Sequence, residues 1–387
     1  MITLSILFAL GCFGLLTSTV FAGMVVAGAR FHRSARVDAP KSFTPALTLL
    51  KPLHGAEPGL EENLVTFFEQ DYPDYEILFC ARAEDDAGLA IARRVAERFP
   101  QVSARFFSAG EPRAINAKAQ SMEVMAAAAR HSILVISDSD VRVRPEYLRA
   151  VAAPFADPTV GAMTCLYRGV AVEGGLWARL EAVGMSVEMT AGVLVANMLE
   201  GMRFVLGPTM AFRTETLRQM GGFAVTYDYC ADDFVLGNEA FQRGWKVALS
   251  HHSIDHMVLH SEFLASLKHQ VRWMKSTRFS RPKGHFGTSL TFSMPFALLA
   301  CGAALALHWP VAALVALGLG VLTRAAIAWA AGRMVAGETS LVALFVLYPI
   351  RDLMGFGFWA ASYLSSKVLW RGRVYRLLPG GRMEAIS

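Results

Sequence analysis

Residues 133–140 read Ile133-Leu134-Val135-Ile136-Ser137-Asp138-Ser139-Asp140. Four apolar residues in a row, without polar alternation, fit a strand buried on both faces. Such strands belong to mostly parallel sheets covered by helices. In open sheets of this kind ligands bind beyond the carboxyl ends of the strands, and that is where Asp138 and Asp140 fall. A strand period of two aims both carboxylates to one side. At ~5 Å and an effective dielectric of about 20 they repel by about 3 kcal/mol, so the pair invites a cation. A hard, oxygen-seeking Mg²⁺ or Mn²⁺ bridging to a diphosphate suits such a site. A solvated turn capping a helix near Pro145 and Glu146 is the alternative.

The same alternation extends on either side. Residues 46–53 (ALTLLKPL) and 75–81 (YEILFCA) are compact apolar runs, and 60–69 and 87–98 have helical spacing. Residues 102–107, a helix over 116–129 and the 133–136 strand continue the pattern. An α/β domain is therefore expected over 43–275. Asp85 and Asp86 follow the second strand, where groups touching a base or ribose are expected; helix capping explains them equally. Asn116 and Lys118 open a helix, and a lysine there suits a phosphate or is simply solvated. Asp232 and Asp233 begin the segment up to Gln242; a carboxylate at a helix N-terminus stays ionised, as a general base must. Gly207-Pro208-Thr209-Met210-Ala211 reads as a close backbone approach or a bend. His251, His252, His256 and His260 carry no ordered ligand spacing and read as surface histidines. His269, Arg272 and Trp273 close the domain. An arginine can clamp a diphosphate and a tryptophan can stack on a sugar, or the pair anchors a helix at lipid headgroups.

Outside this domain the chain is apolar. It is 54% hydrophobic and 18% charged, with a net charge of +5, too greasy for a chain that meets only water. Residues 3–28 are long enough to cross a bilayer at about 20 residues per span. The positive charge follows this segment, at Arg30, Arg33 and Arg36, which predicts an anchor over 1–29 with the next domain cytosolic. A second apolar block runs over 286–366. Within it 288–307 and 310–331 read as spans joined at His308-Trp309-Pro310. The remainder, 339–366, is interrupted by Pro349, Arg351, Asp352, Gly355 and Gly357 and reads as a broken or re-entrant pair of short helices. Arg324, Arg351 and Asp352 there serve either internal contacts or a lipid headgroup. A basic cytosolic tail occupies 367–387. Five scattered cysteines, with no CxxC pair, argue against a disulfide framework and structural zinc. No basic stripe interleaved with aromatics suggests nucleic acid.

Taken together, LLKPLHGAEPGLEENLVTFFEQDYP (49–73), INAK, SDSDVRV, GPTMAFR with GGF, ADDF with RGW, the Arg272-Trp273 pair and WRGRVYRLLPGG (370–381) resemble the ceramide glucosyltransferase family. That family includes bacterial relatives that glycosylate hopanoid lipids. The resemblance implies a nucleotide-sugar-binding, GT-A-like domain flanked by transmembrane helices, held in the inner or plasma membrane. It implies inverting transfer of glucose or N-acetylglucosamine from a UDP-sugar to ceramide or a hopanoid. By position it assigns Asp138, with Asp140, to the metal and donor diphosphate, and Asp233 to the base, beside Asp232. His269, Arg272 and Trp273 would serve the donor, as would Lys118, Pro52 and Asp85 or Asp86. There are two departures: the family's first acidic position falls on Ala83, and the first residue of its (Gln/Arg)-x-x-Arg-Trp motif is His269. Two competing readings are a processive polysaccharide synthase, which needs more spans, and a transporter or scaffold, which leaves the acidic residues unexplained.

Overall fold

The computed structural model describes residues 1–35, 39–40, 42–172, 174–259, 262–370 and 372–386; Arg36, His260 and Arg371 lie outside the described residues. The apolar runs become strands β1 (Leu47–Pro52), β2 (Tyr75–Ala81), β3 (Ser103–Ser108) and β4 (Ile133–Ser137). They are joined by β5 (Val141–Arg142), β6 (Val160–Ala171), β7 (Thr209–Arg213) and β8 (Lys246–Val258). One sheet results, in the order β3-β2-β1-β4-β7-β6-β8-β5. The first four strands are mutually parallel. β7 then runs antiparallel to β4 and to β6, so the sheet is mixed and mostly parallel at one end. β4 is buried along its whole length, as its unbroken apolar run requires.

The chain divides into two compact units. One holds the sheet, over 35–167, 200–257 and 382–387; the other holds 1–34, 168–199 and 258–381. The single domain expected over 43–275 is thus divided. Its middle part, Leu176–Glu200, is one helix of 25 residues, apolar enough to cross a membrane, and up to Leu199 it belongs to the second unit. Its sequence disguised it: Glu181 and Glu188 interrupt the apolar run, and each meets a partner far along the chain, His269 and Arg351 respectively.

Among the described residues three helices are long and apolar enough to span a bilayer: Ile2–Ser34, Leu176–Glu200 and Pro310–Ala336. A fourth candidate is the bent pair Pro282–Thr291 and Met294–Ala306, which meets at 46°. Ile2–Ser34 packs closely on Met294–Ala306 through small residues; a Cβ at Gly11 would sit 2.7 Å from that of Ala300. The turn expected at His308-Trp309-Pro310 forms, with His308 at φ 61°.

The expected break in 339–366 is not there. The chain is helical from Leu341 to Ser362, with a wide π-type turn at Ala343–Leu347 just before Pro349. That wider turn lets the helix pass the proline. The break lies instead at Phe292-Ser293, ahead of Pro295. Its loose backbone groups are capped by the polar residues in question. Arg324 Nη2 donates to the Thr291 carbonyl at 2.7 Å, while Asp352 Oδ2 accepts from the amides of Ser293 and Met294 at 2.9 and 2.8 Å. Arg324 and Asp352 are themselves paired at 2.7 Å. The internal role is the one the structure shows for these two residues. Residues 367–370 and 373–377, within the basic tail, form an antiparallel hairpin.

Candidate active site

The candidate functional side chains of the sheet unit collect where β4 ends. Ser137–Asp140 leaves the strand as a turn, and that turn is held from several sides. The Lys51 ammonium, from β1, donates to the Asp138 carbonyl at 2.6 Å. Asn63 Nδ2 donates to the Ser139 carbonyl at 3.0 Å, and the Ser139 hydroxyl donates to Glu57 Oε2 at 2.6 Å. The Met257 amide donates to the Asp140 carbonyl at 2.7 Å, and His256 Nε2 lies 3.0 Å from Asp140 Oδ2.

Three further segments bring charge to the same place. The helix Ala117–Ala128 is capped by Asn116, whose side chain accepts from the amides of Lys118 and Ala119. This aims Lys118 at the turn, its Nζ 2.6 Å from Asp138 Oδ1 and 3.6 Å from Asp232 Oδ2. Asp232 and Asp233 form the first turn of the helix Asp232–Gln242. Asp233 is fixed by two amides: Gly207 donates to Oδ2 at 2.9 Å and Phe234 to Oδ1 at 2.7 Å. Gly207 is the close backbone approach expected there. A Cβ at that position would lie 3.4 Å from Asp233 Oδ2 and 3.8 Å from Asp138 Oδ2. Asp138 and Asp233 therefore both approach the Gly207 backbone.

Electrostatics separates these carboxylates. Burial, with Asp232 alongside, pushes Asp233 up to about 6. Burial and the neighbouring Asp140 raise Asp138 against the opposing pull of Lys118. Burial also acts on Asp140, but the His256 ring and its hydrogen bond bring it below the usual carboxylate range. Burial is offset at Lys118 by Asp138 and Asp232, which raise its pKa. At Lys51 burial wins, bringing its pKa down to about 7.

No group of three or more His, Cys, Asp or Glu among the described residues is arranged to hold a metal ion. The donor chemistry still suits a hard divalent cation. Asp140 Oδ1 is buried with no hydrogen-bond partner, as is Asp232 Oδ2. A lysine cation already bridges Asp138 and Asp232. The buried Asp140 Oδ1, without a partner, is what such a cation would complete.

The remaining expected residues lie on other elements. Asp86 is a helix cap: it accepts from the amides of Gly55 and Gly88. Asp85 is exposed on the same turn, and Pro52 ends β1 opposite Cys80. His269, Arg272 and Trp273 lie on the helix Phe263–Ser280 of the other unit. There His269 Nδ1 is 2.7 Å from Oε1 of the buried Glu181, and its ring lies 4.4 Å from that of Trp273. The surface reading of the histidines needs correction. His252 and His256 are both buried, because β8 buries Ser250, His252, Ile254 and His256 on one face. That period-two pattern was present in SHHSIDHM and could have found His256. Lys51, the one charged residue in ALTLLKPL, was likewise visible as an anomaly.

This chain matches glycosyl transferase family 21 over residues 14–383. It belongs to that family. Ceramide glucosyltransferase 1 of Caenorhabditis elegans is 26% identical over 236 residues, covering 61% of this chain and 50% of that protein. The ceramide glucosyltransferase of Komagataella phaffii is 32% identical over 118 residues, covering 30% of this chain and 23% of its own. The family 21 chain thus spans about half the length of the C. elegans relatives it matches. Among solved structures, mannosyltransferase PcManGT from Pyrobaculum calidifontis, in complex with GDP-Man and Mn²⁺, aligns with a TM-score of 0.54 at 20% identity. It covers 92% of this chain and 98% of its own. That likeness supports the GT-A-like fold expected from the sequence.

Proposed function

We propose that this family 21 chain is a membrane-embedded, inverting glycosyltransferase that moves glucose or N-acetylglucosamine from a UDP-sugar to the hydroxyl of a lipid, ceramide or hopanoid, at the cytosolic face. The observation that carries the reading is the convergence of Asp138, Lys118, Asp232 and Asp233 around Gly207. The family and the apolar helices support a lipid acceptor.

The residues divide the work. Asp138 and Asp140 would hold a divalent cation, which when bound neutralises charge on the departing nucleotide. Lys118 adds a cation to the same cleft and suits the donor diphosphate. The two amides on Asp233 fix its carboxylate, and its pKa of about 6 leaves it ionised at neutral pH yet close enough to accept a proton. Asp233 takes the proton of the acceptor hydroxyl as that oxygen attacks the anomeric carbon, and the nucleotide diphosphate leaves from the opposite side. The family resemblance alone assigns Arg272, Trp273 and His269 to the donor.

The deciding experiment incubates purified protein with labelled UDP-glucose and UDP-N-acetylglucosamine, each with ceramide and with a hopanoid. A single lipid glycoside of expected mass, lost in chelator, supports the scheme. A polymeric product would restore the processive synthase instead. Failure to transfer from or hydrolyse either donor removes the UDP-sugar assignment.

A further inference from the structure

Lys51 is the most unusual charged residue of the sheet unit. It is fully buried, at 0% exposure, inside β1. Among the described residues no carboxylate forms an ion pair with it. Its ammonium instead donates to the Asp138 carbonyl at 2.6 Å, lies 3.5 Å from the Ser137 hydroxyl, and sits 3.6 Å above the Phe67 ring.

A lysine in an apolar strand is expensive to desolvate, and a core leucine or methionine would pack there more cheaply. What the lysine adds is a donor aimed at one main-chain oxygen. That oxygen belongs to the residue whose side chain faces Lys118 and Gly207 in the cleft. Main-chain and side-chain directions at Asp138 are coupled, so pinning the carbonyl from the neighbouring strand sets where the carboxylate points. Neutral or charged, the amine keeps an N–H for this bond, so the argument does not depend on its protonation. The other anchors of the turn act on Ser139 and Asp140, and Lys118 meets the Asp138 carboxylate directly; Lys51 is the anchor on the Asp138 main chain.

We propose that Lys51 is a positioning residue, which orients Asp138 for the divalent cation through its hydrogen bond to the Asp138 carbonyl. The inference rests on Asp138 holding that cation.

The test titrates Mn²⁺ alone into the full-length protein in detergent, reading free Mn²⁺ by electron paramagnetic resonance, for wild type, Lys51→Met, Lys51→Gln and Asp138→Asn. Thermal unfolding is followed in parallel. Residues that orient a metal ligand are worth about 10–100-fold in affinity. Lys51→Met is therefore expected to weaken Mn²⁺ binding about tenfold or more. Its thermal midpoint should hold or rise, because a buried amine is replaced by an apolar chain of similar shape. In turnover, KM for the donor should rise more than kcat falls. A folded Lys51→Met with wild-type Mn²⁺ affinity, beside a weakened Asp138→Asn, overturns the proposal. Unchanged affinity in Asp138→Asn sinks instead the assignment of Asp138 to the metal. If Lys51→Met and Lys51→Gln both fail to fold, the lysine holds the sheet rather than the turn, and the proposal is lost.

Discussion

The helical unit buries charge in balance, and the sheet unit buries it in surplus. Among the helices Arg324 meets Asp352 at 2.7 Å and Arg351 meets Glu188 at 3.1 Å, two cations against two anions. In the sheet unit Asp138, Asp140, Asp232, Asp233 and Glu57 gather around Lys51, Lys118 and the His256 ring. Both units leave buried polar atoms without a hydrogen-bond partner, Asp140 Oδ1 and Asp232 Oδ2 in the sheet and Glu188 Oε2 and Arg351 Nη1 among the helices, so the difference is one of net charge. The contrast separates two uses of buried charge. A balanced pair that caps broken backbone is neutral as it stands and holds a fold. A cluster with excess negative charge and fixed geometry is incomplete, and a cation or a substrate proton completes it.

The comparison can be broken most decisively at Asp233. Asp233→Asn keeps the shape and loses the base. Turnover should fall by about 10²–10⁴-fold with donor binding retained; near-normal turnover would place the base elsewhere. Next comes Asp352→Ala, which strands Arg324 and uncaps the helix break. Removing one partner of a buried pair costs about 3–5 kcal/mol. Denaturant unfolding in detergent should show that loss, whereas Arg324→Met with Asp352→Leu should recover much of the pairing term. A single variant no less stable than wild type would contradict the balanced-pair account. The third test is pH. A base with a pKa of about 6 is ionised above it and protonated below. kcat/KM should therefore be flat near neutrality and fall about tenfold per unit once pH drops through 6. A profile flat down to pH 5 would detach Asp233 from catalysis. The smallest effect is expected at Glu181→Gln. It weakens a charge-assisted bond to His269 while keeping an acceptor, so donor KM should rise several-fold with kcat little changed. An unchanged KM would limit Glu181 to packing.

Most of the parallel end of the sheet was legible from the sequence. Runs such as LTLLKP and ILVIS have no polar alternation, and only strands covered on both faces tolerate that. The acidic residues were legible too, because strand ends and helix starts place them. The histidines were misread because four in ten residues look like a solvated patch unless the strand period is imposed on them. Leu176–Glu200 was assigned to the soluble domain because two glutamates broke its hydropathy. Their partners, His269 and Arg351, lie 88 and 163 positions further along the chain, a distance no local pattern spans. The break expected near Pro349 was misplaced for a similar reason. A proline marks where a helix is strained, but the backbone yields where capping groups are at hand.

From its sequence alone this chain was bound to a mostly parallel sheet, flanking apolar helices, a family, and a set of acidic residues at strand and helix ends. Those follow from short-range periodicity and from the order of motifs along the chain. Which carboxylates share a cleft, that Lys118 bridges two of them, that Lys51 lies beneath the turn, and which ion pair closes the helix break were settled only in three dimensions. Electrostatic and hydrogen-bond energies depend on distances between atoms, and the chain brings those atoms together from segments that carry no local trace of one another.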